Sequence, residues 1–452
     1  MQNKKLLTNA SFLSLPGILA IFISLVSIPI HLKTAGAENY GNYIIFHFLL
    51  TLGILLNFGI GKSIVISINN FPKKSKSVSY YGIKYTLALS IIFSILFIFL
   101  SKIETFTFIN SIFGKSIIVT YFFIGILVTL FYLSLEGILQ GNQKFKSLSF
   151  YNFIFYSVSM SIPSLSLIYF KNSSLENLIL LSVVIKLSVI FMMFFAIIKN
   201  KLIKKSINKI LLNNLKKNSR WLTLNSILVQ FYDLFDKYLV KIFLGPVALA
   251  TYSIPQQLTG KLSILSKGFS AFLLPFLSKK KFSNDDFNTT IKIFLIFIPI
   301  IIFLFFPLFE LFLKLWLGNQ FNNHILELTK IFSLSVIFSC ASHILVTKFE
   351  ATQTLKHNLK FEFSLMPFFL ILLFYLTINS FSILMIGSLI LLKEIILLFF
   401  RLNLLKKSIK NFKTYYIYSI LFLFVLFFSF NNQIVFYVLV FLLILNLFKN
   451  AK

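Results

Sequence analysis

Apolar residues run in blocks of roughly twenty along almost the whole chain. Short polar turns separate the blocks, and twenty residues is the length a helix needs to cross a hydrocarbon core. About fourteen blocks are read, at 12–32, 42–66, 80–100, 116–140, 148–170, 178–198, 221–244, 251–277, 291–317, 325–349, 361–378, 382–400, 414–430 and 434–448. The pattern predicts an all-α integral membrane protein. The longest polar interval, 199–220, is basic and too short for a soluble domain. It divides the chain into a six-helix bundle over 1–198, the linker 199–220, a second six-helix bundle over 221–400, and two further transmembrane helices over 401–452.

One stretch departs from the apolar rule. The helix predicted over 221–244 carries Asn225, Ser226, Gln230, Asp233, Asp236, Lys237 and Lys241 within an arc of roughly 160° at 100° per residue. The helix that follows Gly245-Pro246 brings Gln256, Gln257, Lys261 and Lys267 back through the same depth. An ionised group at the bilayer centre costs about 3 kcal/mol or more unless it faces a wet or paired interior. This helix pair is therefore expected to line something, with Asp233 and Lys237 close enough along one face to pair. A self-neutralised helix in a bundle interior is the plainer reading of the same residues.

Charge distribution orients the map. The chain has 452 residues, 58% hydrophobic, with a formal charge of +30. In a soluble protein that excess would point to nucleic acid; here the cations sit in short loops and report membrane orientation. With the N-terminus inside, the outer segments hold only Lys33, Lys102, Lys115 and Lys171, and almost every inner loop is basic. Both termini are expected in the cytoplasm. The single cysteine, Cys340, offers no disulfide, and the first apolar block shows no cleavage site.

A weak internal repeat accompanies the two bundles. Gly36 and Tyr43 have the same separation as Gly245 and Tyr252, and Gln140-Gly141-Asn142-Gln143-Lys144 parallels Thr352-Gln353-Thr354-Leu355-Lys356 at nearly the same offset. Such pseudo-repeats occur among transporters.

Other candidate groups are scattered. Glu136 lies near the cytoplasmic end of its block and reads either as a headgroup contact or as a pathway residue. Lys186, central and without an acidic neighbour in sequence, is expected to point into a cavity or at an anion. Lys393 and Glu394 are adjacent, so they are expected to point apart and not to pair. Glu310 and Lys314 are expected to pair locally. Phe58-Gly59-Ile60-Gly61-Lys62-Ser63 ends like a phosphate loop but lacks the first glycine, and no metal-ligand spacing or catalytic triad is present. No ATPase motif exists, so transport would be downhill or driven by an ion gradient or membrane potential.

Gly36-Ala37-Glu38-Asn39-Tyr40-Gly41, Asp236-Lys237-Tyr238-Leu239-Val240, Phe243-Leu244-Gly245-Pro246, Ala250-Thr251-Tyr252, Leu139-Gln140-Gly141 and Leu315-Trp316-Leu317-Gly318 resemble the motifs of polysaccharide repeat-unit flippases. These form the O-antigen, Wzx-type, branch of the multidrug/oligosaccharidyl-lipid/polysaccharide exporter superfamily. The resemblance implies alternating access between two bundles in the bacterial inner membrane, with an undecaprenyl-diphosphate-linked oligosaccharide moved to the outer leaflet for O-antigen or capsular polysaccharide synthesis. It implies membrane lipids as surroundings, a polysaccharide polymerase and a chain-length regulator as partners, and no cofactor beyond a coupling cation or proton. Many members have twelve spans, so twelve helices is the alternative count. On this reading Lys186, Lys237, Lys261, Gln230, Gln257 and Glu136 line the substrate path, and Asp233 or Asp236 couples the ion. The alternatives are a cation-coupled drug exporter, which would want a more acidic cavity, and a membrane polymerase, an enzyme, which would want a long outer loop. A non-enzymatic flippase fits the residues best.

Overall fold

The computed structural model describes residues 2–100, 116–171, 173–205, 209–278, 287, 291, 302, 306–352, 354–379 and 382–405. The predicted helices at 414–430 and 434–448, and about half of the one at 291–317, lie outside the described residues. Within them the chain is helical, and eight helices are long and apolar enough to cross a membrane. The protein is a multi-pass membrane protein. Its outward faces carry bare apolar side chains such as Phe191, Phe195, Phe368 and Ile371, as lipid contact requires.

The N-terminal helices are α1 (Gln2–Leu50), α2 (Leu52–Leu56), α3 (Ile60–Asn70), α4 (Ser75–Leu100), α5 (Ser116–Gly141), α6 (Phe145–Asn152), α7 (Ser159–Ser166) and α8 (Leu175–Lys199). The C-terminal helices are α9 (Lys209–Leu239), α10 (Gly245–Gly260), α11 (Ser263–Ser278), α12 (Phe309–Leu317), α13 (Asn323–Thr352), α14 (Leu355–Ile378) and α15 (Ile383–Leu404). α9 begins at Lys209, so much of the basic interval predicted as a linker is helix. α13 is the core of its set: 72% of its apolar window is buried, against 22% for α14 on the periphery.

The two glycines singled out by the sequence comparison share one backbone geometry. Gly36 has φ 85°, ψ 165° and Gly245 has φ 88°, ψ 171°, a region essentially reserved for glycine. Each turns a helix back on itself. His31 stacks near Tyr43, ring centroids 5.2 Å apart, and the Tyr252 hydroxyl reaches Asp236 at 2.7 Å. In a straight helix those pairs would stand about 18 and 24 Å apart. Both hairpins lie at one end of the molecule, the hairpin end. There Gly41 lies so close to Pro246 that a Cβ on it would sit 2.2 Å from the Pro246 carbonyl oxygen. Leu313 and Leu317 of α12 pack with Ile28 and Leu32 of α1 beside this contact.

Two predicted continuous helices are broken. The second span, read as unbroken over 42–66, is interrupted at Thr51 and again at 57–59, where Phe58 and Gly59 have positive φ. The irregular backbone is held by protein: Asn57 accepts from the Gly61 N–H at 3.0 Å and donates to the Leu130 carbonyl at 3.0 Å, while the Thr223 hydroxyl donates to the Phe58 carbonyl at 2.6 Å. Such satisfaction is what permits non-helical backbone at membrane depth. The span read over 251–277 is likewise interrupted between Gly260 and Ser263.

Replacement of Gly245 by Ala is expected to destabilise the protein by about 1–3 kcal/mol through backbone strain alone, because a Cβ there meets nothing within 4 Å. Gly41→Ala acts differently, by forcing the hairpin-end contact apart. Thermal unfolding of detergent-purified variants checks both, and a neutral Gly245→Ala would refute the strain assignment.

Candidate functional site

A cavity of about 390 Å³ lies between the N-terminal and C-terminal helices, towards the end opposite the hairpins. The break in the second span shapes one wall, exposing Asn57, Gly59, Gly61 and Lys62, and α5 adds Glu136 and Gln140. The facing wall comes from α9 (Asn225, Ser226, Tyr232), α11, α13 (His343, Thr347, Glu350), α14 (Glu362) and α15 (Lys393, Glu394, Arg401). Three cations and four carboxylates therefore line one volume.

Most of those charges are paired. Lys62 bridges the two sets of helices to Glu350, which also accepts from Asn225 at 3.0 Å. Arg401 pairs with Glu362, which accepts from Asn358 at 2.7 Å, and the Arg401 Nε donates to Asn358 at 3.2 Å. Lys393 pairs with its neighbour Glu394 at 3.1 Å, contrary to the expectation from helical geometry. Long side chains lean far enough along the helix to overcome a 100° offset. The ammonium also lies 4.6 Å from the Tyr232 ring and 5.5 Å from Phe369, so aromatic faces cover what the carboxylate does not. Glu136 accepts from Asn152 at 3.2 Å, and Asn152 in turn accepts from Tyr132. Each pair thus limits the cost of withdrawing charge from water.

The residues proposed from sequence divide among several places. Glu136 lines this cavity. Asp236 and Lys237 pair with each other at 3.3 Å, nearer the hairpin end; Tyr252 donates to Asp236, and Phe48 of α1 covers the Lys237 ammonium at 4.5 Å. This buried cluster joins α9, α10 and α1. The Asp233 side chain lies outside the described residues, and Gln230 is half-buried beside Val229, which lines the cavity. Lys261 and Gln257 line a separate, much smaller pocket with Ser24, Ser27, Tyr40 and Ser164. Lys186 is buried against the Phe155 ring at 5.0 Å. Glu310 and Lys314 pair on the surface at 2.6 Å, as expected. Lys62, Glu350, Glu362 and Arg401 escape the sequence reading because they sit within a few turns of basic loops and look like boundary residues.

A family model described as polysaccharide biosynthesis protein matches residues 6–281. A protein of Shigella flexneri named "Putative O-antigen transporter" is 23% identical over 354 residues, spanning 74% of this chain and 81% of that protein. A crystal structure of MATE in complex with MaL6 superposes with a TM-score of 0.65 at 12% identity, covering 90% of this chain and 97% of that one. A MOP superfamily transporter from Pyrococcus furiosus gives a TM-score of 0.65 at 11% identity, covering 89% and 96%. At those identities the structural likeness establishes the fold.

Arg401→Leu leaves the Glu362 carboxylate buried with Asn358 alone, and is expected to cost about 3–5 kcal/mol. The double variant Arg401→Leu/Glu362→Leu removes the orphaned charge and should recover most of that loss. Unfolding midpoints of the two variants, measured side by side, decide the matter; equal destabilisation would mean the pair is not a neutralising unit.

Proposed function

The chain belongs to the polysaccharide biosynthesis protein family, and from that premise we propose that it translocates lipid-linked oligosaccharide repeat units across the bacterial inner membrane. The observation that carries the reading is the charged cavity between two sets of helices that touch each other at both ends. A volume of about 390 Å³ is within the usual range for a ligand site. Asn57, Gln140, Asn225 and Tyr232 suit sugar hydroxyls. Lys393 and Arg401 suit a diphosphate, provided it displaces their carboxylate partners as it enters. Lys186 and Lys237 are each buried away from this cavity, which favours Lys393 and Arg401 for the anion; Lys261 and Gln257 would act from their own pocket nearer the hairpins.

The polyprenyl tail needs no protein pocket, since lipid lies against the outward apolar faces. Alternating access then amounts to exchanging the contact at the hairpin end for the contact at the opposite end. The basic loops favour a cytoplasmic location for that opposite end and for both chain termini. A polymerase and a chain-length regulator acting on the product are the partners this placement implies.

In a deletion strain, lipid-linked oligosaccharide should accumulate in the cytoplasmic leaflet, and plasmid-borne wild type should restore surface polymer. Lys393→Ala should lower surface polymer at least about tenfold with membrane abundance unchanged, the scale of losing one charge-assisted contact worth about 1.5–3 kcal/mol. Undiminished polymer would remove Lys393 from the path; an even distribution of intermediate across both leaflets after deletion would overturn the function.

A further inference from the structure

Where α3 crosses α5 the two backbones touch. A Cβ on Gly137 would sit 2.3 Å from the Gly61 carbonyl oxygen, and one on Gly61 would sit 2.5 Å from that of Leu133. The next residue on one side is Lys62 and the preceding residue on the other is Glu136, and both line the cavity. Lys62 is held by Glu350, on the opposite set of helices. Glu136 sits on the same set as Lys62, receives only neutral donors, and is within electrostatic reach of that ammonium. One cation thus acts on two carboxylates, pairing with one on the opposite set of helices and lying within electrostatic reach of one on its own set.

We propose that Lys62, Glu136 and Glu350 form a proton-binding triad that couples proton exchange to separation of the two sets of helices at the end opposite the hairpins. The inference rests on the transport reading of the cavity. With the helices together, Lys62 neutralises Glu350 and Glu136 carries a proton. When they part, Glu350 enters water, where an ionised carboxylate costs little, and Lys62 turns to Glu136. Glu136 then gives its proton to solvent and becomes the new ion-pair partner. The balance is one proton bound in the closed arrangement and released in the open one, with the Lys62 charge paired throughout. Low pH favours closure and high pH favours opening.

The surroundings support this assignment of roles. Tyr132 on α5 and Tyr156 from the π-helical segment Phe153–Val158 are titratable neighbours that feel the Glu136 charge, and neither is charged near neutral pH. Facing Glu350 across the cavity, α9 presents Asn225, Ser226 and Tyr232, α11 presents Ser270, and α2 with the break after it presents Ile54 and Asn57. His343 of α13 bonds Ser266 at 3.2 Å. The remaining charges, Arg401 with Glu362 and Lys393 with Glu394, are paired on the far wall. Among the described cavity residues, Glu136 is the carboxylate with no ion-pair partner of its own.

The test uses the full chain in lipid nanodiscs without substrate, so that its failure and failure of the transport reading are separable. Cys340→Ser removes the native thiol, and Lys74→Cys with Lys356→Cys places spin labels on exposed sites of the two sets of helices. The distance distribution should shift from short to long as pH rises. Glu136→Gln, which is isosteric and cannot ionise, should hold the short distance at every pH, and Glu350→Gln should favour the long one. The charge-reversed pair Lys62→Glu/Glu350→Lys discriminates further. It should restore the short distance but not the pH response, because the carboxylate introduced at position 62 would then face Glu136; adding Glu136→Lys should bring a response back with its sign reversed, because the amine introduced at position 136 is neutral in the closed arrangement and gains a proton in the open one. A wild-type distance independent of pH would overturn the triad. So would Glu136→Gln titrating like wild type, or the two-site reversal alone recovering the full response. Should Glu136→Gln fail to yield folded protein, the two-site and three-site reversals decide the question on their own.

Discussion

A charge drawn into the interior of a helical bundle must find a partner within a few ångströms, because desolvation there costs several kcal/mol per ion. That requirement organises the middle of this protein. Arg401, Glu362 and Asn358 form one closed set, Lys393, Glu394 and the aromatic faces of Tyr232 and Phe369 another, and Asp236, Lys237, Tyr252 and Phe48 a third. Two of these sets line the cavity and the third pins the hairpin of α9 and α10 against α1. The same rule therefore serves adhesion in one place and a polar interior in another, and only the presence of open volume distinguishes them.

The pairs differ in what they join. Arg401–Glu362 and Lys393–Glu394 lie wholly within the C-terminal helices, so movement of one set past the other leaves them intact. Lys62–Glu350 crosses between sets, and so do the Thr223 bond to the Phe58 carbonyl and the Gln140 bond to the Ala271 carbonyl at 2.6 Å. These crossing contacts are polar and close to the cavity. At the hairpin end the crossing contact is backbone against backbone, Gly41 on Pro246, backed by apolar packing. One interface is built for exchange of hydrogen bonds and the other for close steric fit.

Much of the fold is legible in sequence because the bilayer imposes a single length on every spanning helix, and short basic loops keep the register. The tight turns are legible too: a glycine followed seven residues later by tyrosine recurs, and Gly36 and Gly245 both need a conformation that other residues avoid. The breaks within spans are not legible. Phe58-Gly59 is apolar, and what stabilises its irregular backbone is Asn57, Thr223 and the Leu130 carbonyl, two of them distant in sequence. The site is harder still. Helical periodicity collects Asn225, Asp236 and Lys237 on one arc, yet over that length the arc runs from the cavity to the hairpin-end cluster, so sharing a face does not mean sharing a site.

That separation also changes what the cavity can recognise. Its lining holds three cations and four carboxylates, so at neutral pH it is no simple basic funnel. An anionic headgroup entering it gains little unless a carboxylate yields its cation, and a yielded carboxylate is stable only if it is hydrated, protonated or re-paired. Binding, protonation and movement are then three faces of one exchange of partners. A cavity of bare lysines would hold a diphosphate tightly and release it slowly; one in which every cation already has a partner returns the headgroup at small cost, which is what a carrier requires of the far side of its cycle.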